Sequence, residues 1–452
     1  MLAAAVPPRA HWLRTLPFAL LGCLWAGAPL AAEPASTVLR IQGSNTVGAR
    51  LAPALVEGLF QQHGLREVRS LPGERENEQR VTARDAQGHL LQVDIAAHGS
   101  STGFTALQAG HAELAASSRP VKDSEVAAMA AFGDLRDAGA EQVIALDGLA
   151  IIVHPDNPLQ QLNTADLAKL FSGELDNWQA LGGADAPIRL YARDDQSGTY
   201  DTFKELVLAA NGKRLHADAQ RFESNTLLSA AVQADRQGIG FVGLDSVGQA
   251  KALAISAGEA RALLPSENSV ATEDYPLSRR LFLYGRPDAG NPWAQRLIEF
   301  AHSAQGQQIV QRVGFVAQAV RAMQIAPDPR MPQGYRQLAA QAQRLSVNFR
   351  FQEGSAQLDN KALRDIQRVA AYLDAHGKLQ HSATLVGFGD AKHDAQRAEL
   401  LSRLRAMAVR RELARNGVIV RDLVGYGDEL PVATNSAENG RIRNRRVEVW
   451  LH

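Results

Sequence analysis

The chain has 452 residues, room for two to four domains at roughly 100–200 residues each. Apolar residues make up 45% and charged residues 21%, an ordinary globular composition that excludes a mainly disordered, collagen-like or many-pass membrane protein. The 48 Lys+Arg balance the 48 Asp+Glu, so global charge points to no polyanion partner, and a single cysteine excludes a disulfide framework and a multi-cysteine metal site.

Residues 1–14 hold Arg9 and Arg14 and no acid, and an apolar run follows from Leu16 to Leu30. Leu30-Ala31-Ala32 then offers a small-residue cleavage site before Glu33, so residues 1–32 have the form of a secretory signal peptide. The apolar run is broken by Pro17 and Pro29 and falls short of the ~20 residues a spanning helix needs. Leu20-Leu21-Gly22-Cys23 resembles a bacterial lipobox, which would make Cys23 an acylated lipoprotein anchor. Leu24 and Trp25 continue the apolar run past it, which favours ordinary cleavage near Ala32.

Strand-like runs at Thr37–Ile41, Gly148–His154 and Gly238–Leu244 alternate with helical periodicity at Leu51–Gln61 and Thr164–Phe171. The alternation predicts an α/β domain over 33–325 with helices on both faces of a sheet. Residues 326–342 carry three prolines in six positions and read as a linker. Beyond it, 343–452 predicts strands at Leu345–Phe351, Ala383–Gly387, Leu423–Gly427 and Arg446–Leu451. Helices are predicted at Asp359–Ala375 and over the arginine-rich Ala395–Asn416, giving a small α+β domain. This module carries 18 Lys+Arg against 13 Asp+Glu, and 33–342 carries 28 against 35, so a mildly basic module follows an acidic one.

Three hydroxyl clusters precede predicted helices in the large domain. They are Gly43-Ser44-Asn45-Thr46, Gly99-Ser100-Ser101-Thr102-Gly103 and Ser197-Gly198-Thr199. A helix N-terminus presents unpaired N–H groups and about half a positive charge, hydroxyls add donors, and glycine lets an anion approach the backbone. Ser and Thr are also good N-caps with no ligand at all. Arg193, four residues before Ser197, can offer a planar fork to oxyanion oxygens. The large domain resembles the substrate-binding protein of the ABC phosphate transporter, a two-lobed α/β periplasmic binding protein of type II. The likeness runs in order through Ile41-Gln42-Gly43-Ser44-Asn45-Thr46-Val47, Gly99–Gly103, Glu113–Arg119, Asp147–Pro158, Leu170–Trp178, Arg193–Thr199 and Gly238–Val242. It implies phosphate, or a similar oxyanion, in a cleft near Ser44, Asn45, Thr46, Ser100, Ser101, Arg193, Ser197, Gly198 and Thr199, and an ABC transporter permease as a partner. Many phosphate binders carry an aspartate after Ala-Ser where this chain has Ser117-Ser118, which puts discrimination against sulfate in question. Asp94 and Asp194 are the substitutes the sequence offers.

The small domain resembles the OmpA-like peptidoglycan-binding domain through Val386–Asp390, Leu401–Val409, Gly425–Pro431 and Asn439–Glu448. The resemblance implies that Asp390 and Arg405 hold the diaminopimelate of the peptide stem, a carboxylate gripping the ammonium and a guanidinium the carboxylate. Gly238-Ile239-Gly240-Phe241-Val242-Gly243 fits a dinucleotide pattern, but its glycines span a strand-like run and Asp245 follows at once instead of about 20 residues on, so no cofactor is expected. No metal-binding His motif or nucleophile elbow occurs, so neither a metal nor a catalytic residue is expected. The clustered Arg441, Arg443, Arg445 and Arg446 lack aromatic interleaving, so nucleic acid is not expected as a partner. The expectation is a non-enzymatic periplasmic phosphate (oxyanion) binder, associated with the wall or outer membrane, acting in uptake, scavenging or sensing. The alternative is an envelope-anchoring structural protein whose binding-protein domain is a docking module. A phosphoesterase is a third class.

Overall fold

A computed structural model describes residues 35–452 apart from 196, 353, 354, 356, 391–393 and 437. The expected signal peptide and Cys23 lie outside the described residues. The first lobe is built on β1 (Ser36–Gly43), β2 (Arg66–Pro72), β3 (Glu78–Arg84), β4 (Leu90–Ala97) and β5 (Leu114–Ser117). β6 (Glu141–Val153) is almost continuously apolar and buried, as a strand covered on both faces must be. It runs from this lobe into the second, which holds β7 (Gln161–Asn163), β8 (Arg189–Arg193), β9 (Gln220–Phe222), β10 (Gly238–Gly243), β11 (Lys251–Ala252) and β12 (Ala254–Ser256). β13 (Ser278–Gly285) returns to lie between β5 and the first half of β6. The large sheet runs β2-β3-β4-β1-β5-β13-β6-β10-β8-β9, with β11 on β6. Each lobe has its own core, one centred on Ile41, Val56 and Phe60, the other on Ile151, Phe171 and Phe241.

The expected helices form where their periodicity places them. Thr164–Phe171 is capped by Asn163, which accepts from Asp166 N. Asn360–Ala375 is capped by Asp359 and Ala395–Arg415 by Asp394. The G-x-G-x-x-G segment is the strand β10 and leads into no nucleotide-type helix. No helix among the described residues is long and apolar enough to cross a membrane.

The C-terminal sheet runs β14 (Ala322–Met323), β15 (Gln343–Phe349), β18 (Val447–Leu451), β16 (Ala383–Gly387) and β17 (Asp422–Gly425). The segment 326–342 is not a free linker. It contains the helix Gln333–Gln341, whose face Tyr335, Leu338, Ala339 and Ala342 packs on Phe388 and Trp450. The prolines precede the helix instead of interrupting it, and Pro332 occupies the N-cap position, where no intrahelical N–H is required.

The C-terminal domain is joined to both lobes by polar contacts. On the second lobe, Arg344 donates to Asp274 (2.8 Å), Asn348 to Asp274 and Thr272 O (both 2.8 Å), and Arg443 to Glu273 O (2.8 Å) and Tyr275 O (2.6 Å). On the first, Arg364 donates to Gln142 (2.5 Å), Arg368 to Gln318 (3.0 Å) and Asn360 to Arg136 O (2.8 Å). Arg280 of β13 bridges Glu273 and Asp359. Burial pushes the Glu273 and Asp274 carboxyls up, but the surrounding cations (Arg280, Lys361 and Arg350 for Glu273; Arg344, Arg446 and Arg350 for Asp274) outweigh it and hold both at about 2.

Candidate functional site

β1 ends at Gly43 with φ +137°, and a Cβ there would lie 2.1 Å from Ala116 O, so only glycine lets the strand turn this closely past β5. The turn is held by Ser44 N donating to Ala116 O and Gly99 N to Gly43 O. It delivers Asn45 and Thr46 to the start of the helical stretch that continues as Ala52–Gln62. On the second lobe, Ser197 caps the helix Gly198–Phe203 by accepting from Tyr200 N. The two starts meet: a Cβ on Gly198 would lie 2.6 Å from Thr46 Cα and Oγ1.

Asn45, Thr46, Arg193, Ser197, Gly198 and Thr199 line one cavity of about 1030 Å³ between the lobes. Ser44 is buried at the turn that leads to it. Ser100 and Ser101 do not line it. Ser100 Oγ lies 3.3 Å from Ser118 Oγ and accepts from Ser118 N, and Ser101 Oγ accepts from Arg119, which is itself paired with Glu125. Arg193 donates to Phe222 O (3.1 Å), Glu223 O (2.7 Å), Asn225 (2.6 Å) and Asp194 (3.4 Å), so its fork shapes the 222–225 loop. Burial lowers its pKa against the pull of Asp194.

Sequence reasoning missed Arg279. This nearly buried guanidinium donates through Nη2 to Thr46 Oγ1 (2.7 Å) and Gly198 O (3.0 Å), through Nε to Asp147 (3.3 Å), and through Nη1 to Glu205 (3.2 Å). It ties the two lobes together at the floor of the cleft, and Thr202 adds a hydroxyl to Asp147. The available signal was a pair of arginines opening an otherwise apolar strand. Of the two substitute acids, Asp194 lines the cleft and Asp94 does not; Asp94 sits on β4 beside Thr37 and Gln92. The cleft holds six carboxylates against two guanidiniums, so its attraction for an oxyanion must come from oriented N–H and O–H groups and helix starts. Among the described residues, no group of three or more His, Cys, Asp or Glu is placed to hold a metal ion.

In the C-terminal domain Asp390 and Arg405 come close together: Asp390 opposes the lowering of the Arg405 pKa that burial causes, and the Arg405 guanidinium lies 5.9 Å from the Phe351 ring centroid. Asp390 is also gripped at two points by Arg445 (3.1 Å each), which pairs in turn with Glu438. Arg445 belongs to the quoted C-terminal motif, but its contact with Asp390 depends on the sheet and was not legible.

Residues 82–305 match the model of the PBP superfamily domain, and residues 350–445 match the OmpA family. The chain is 32% identical to Protein SphX of Synechococcus elongatus over half of its length and 69% of that protein. It is 30% identical to the phosphate-binding protein PstS of Pseudomonas aeruginosa over half of its length and 74% of that one. An ABC-type phosphate transport receptor from Vibrio cholerae is a solved structure 24% identical, covering 62% of this chain and 99% of its own, with a TM-score of 0.47. With the two-lobed α/β fold and the cleft in place, the chain belongs to the PstS/SphX family of periplasmic binding proteins and carries an OmpA-family domain at its C-terminus.

Proposed function

We propose that the cleft binds inorganic phosphate and that the C-terminal domain holds the protein on peptidoglycan, making it a wall-held phosphate receptor of the periplasm. The observation that carries the reading is the meeting of two helix starts, at Thr46 and Gly198, in one cavity with Ser197, Thr199 and Arg193. Relatives named as phosphate-binding proteins support it. The carboxylates in the cleft suit an oxyanion that keeps a proton: hydrogen phosphate can donate to an acid such as Asp194, whereas sulfate would set acceptor against acceptor. The protein acts by binding and not by turnover. The contacts joining the C-terminal domain to both lobes favour scavenging or sensing at the wall over shuttling to a permease.

Calorimetric titration of the anion-stripped chain tests this. Saturable phosphate binding, weakened at least tenfold by Ser197→Ala and Arg193→Ala and absent for sulfate, is the expected result. Equal binding of both anions reduces the reading to a generic oxyanion receptor, and no binding to folded protein removes it. On the wall side, sedimentation with purified peptidoglycan should be lost in Asp390→Ala and in Arg405→Ala.

A further inference from the structure

A second cavity, of about 510 Å³, lies where the second lobe, the helix Gln333–Gln341 and the C-terminal domain meet. It shares no lining residue with the cleft, and neither Asp390 nor Arg405 lines it. Its volume falls in the range of about 300–1,000 Å³ typical of small-molecule sites, and its position between domains is a usual one for them. Met323, Ile325, Met331 and Leu430 give it an apolar wall. The other side carries ions: Arg344 paired with Asp274 and Glu448, and Arg446 paired with Glu448.

Arg344 is 8% exposed and Arg446 2%, and each has a guanidinium nitrogen without a hydrogen-bond partner, Nε of Arg344 and Nη1 of Arg446. Two of the four such guanidinium nitrogens among the described residues therefore belong to side chains that line this one cavity. A buried N–H left unpaired is costly, and the carboxylates nearby are already engaged by other atoms of the same two guanidiniums. Both unmet groups are donors with almost no accessible surface, so they lie behind the cavity wall and meet an acceptor in the cavity only when the guanidinium turns. The four arginines and four carboxylates that line the cavity sum to no net charge, so an incoming anion meets no net repulsion from them.

We propose that this interdomain cavity binds a small amphiphilic carboxylate. Its apolar body lies along Met323, Ile325 and Met331, and its carboxylate accepts from Arg344 and Arg446 after a small side-chain adjustment. A guanidinium–carboxylate contact is charge-assisted and stronger than one to a neutral carbonyl, which is why the acid is favoured over the amide or alcohol. The site shares no residue with the phosphate cleft.

Calorimetry with 4-phenylbutyrate and 4-phenylbutylamine, which share one apolar body, tests the proposal on the full mature chain. The carboxylate should bind saturably and at least tenfold more tightly than the amine. Saturating phosphate should not displace it. Ile325→Trp and Met331→Trp, which fill the cavity from its apolar wall, should each weaken it at least tenfold while phosphate titration and circular dichroism stay as in the parent chain. Equal binding of acid and amine, no saturable binding at millimolar acid, or undiminished binding in both tryptophan variants would overturn it.

Discussion

Gly198 sets how closely the lobes approach, because any Cβ there meets Thr46 within 2.6 Å. Gly198→Ala should hold the helix starts apart and weaken phosphate binding at least tenfold, about 1.4 kcal/mol, in a calorimetric titration. Arg279 presents a different balance. It and Asp147 are both nearly buried, and removing one charge strands the other. Arg279→Met should cost about 3–5 kcal/mol in urea unfolding, and the double variant Arg279→Met/Asp147→Leu should recover much of that loss. The hydroxyl clusters were legible because a Ser or Thr before a helix announces itself locally. The role of Arg279 was not, because its partners Thr46, Asp147 and Gly198 are far from it in sequence. Ser100 and Ser101 have the same local signature as Ser197 but turn to Ser118 and Arg119, a choice made by tertiary packing.

At the level of elements, long periodic segments read well: the helices Thr164–Phe171 and Ala395–Arg415 sit within a residue of their expected ends. The segment 326–342 is harder to read, because proline, a stop inside a helix, here marks a start. The apolar spacing of Tyr335, Leu338, Ala339 and Ala342 outweighs it by supplying a buried face. Tyr335 packs edge-on against Phe388 and Trp450 and donates to Glu448 (2.8 Å). Tyr335→Ala should therefore cost about 3–5 kcal/mol by calorimetric unfolding. Limited proteolysis should cut within 326–342 in that variant while sparing the parent chain.

Across the whole molecule, Glu273 and Asp274 sit among the guanidiniums that join lobe and C-terminal domain. Their folded pKa values, about 2, lie below the ordinary 4.5 and 3.8, so their contribution is complete above those ordinary values and is lost as pH falls through about 2. Scanning calorimetry should show one cooperative transition near neutral pH, separating into two as the pH is lowered from 4.5 towards 2. None of this docking was legible in the sequence, where the C-terminal arginines read only as part of a mildly basic module. The helix Asn360–Ala375 holds Gln142 and Gln318 on one lobe while β15 holds Thr272 and Asp274 on the other. The C-terminal domain is thus a brace from one lobe to the other, and the lobes cannot swing apart without releasing one end of it. Lobe angle and docking then belong to one equilibrium: by whatever factor the brace favours phosphate, phosphate favours the brace, so a strain applied through the cell wall would be felt as a change in affinity.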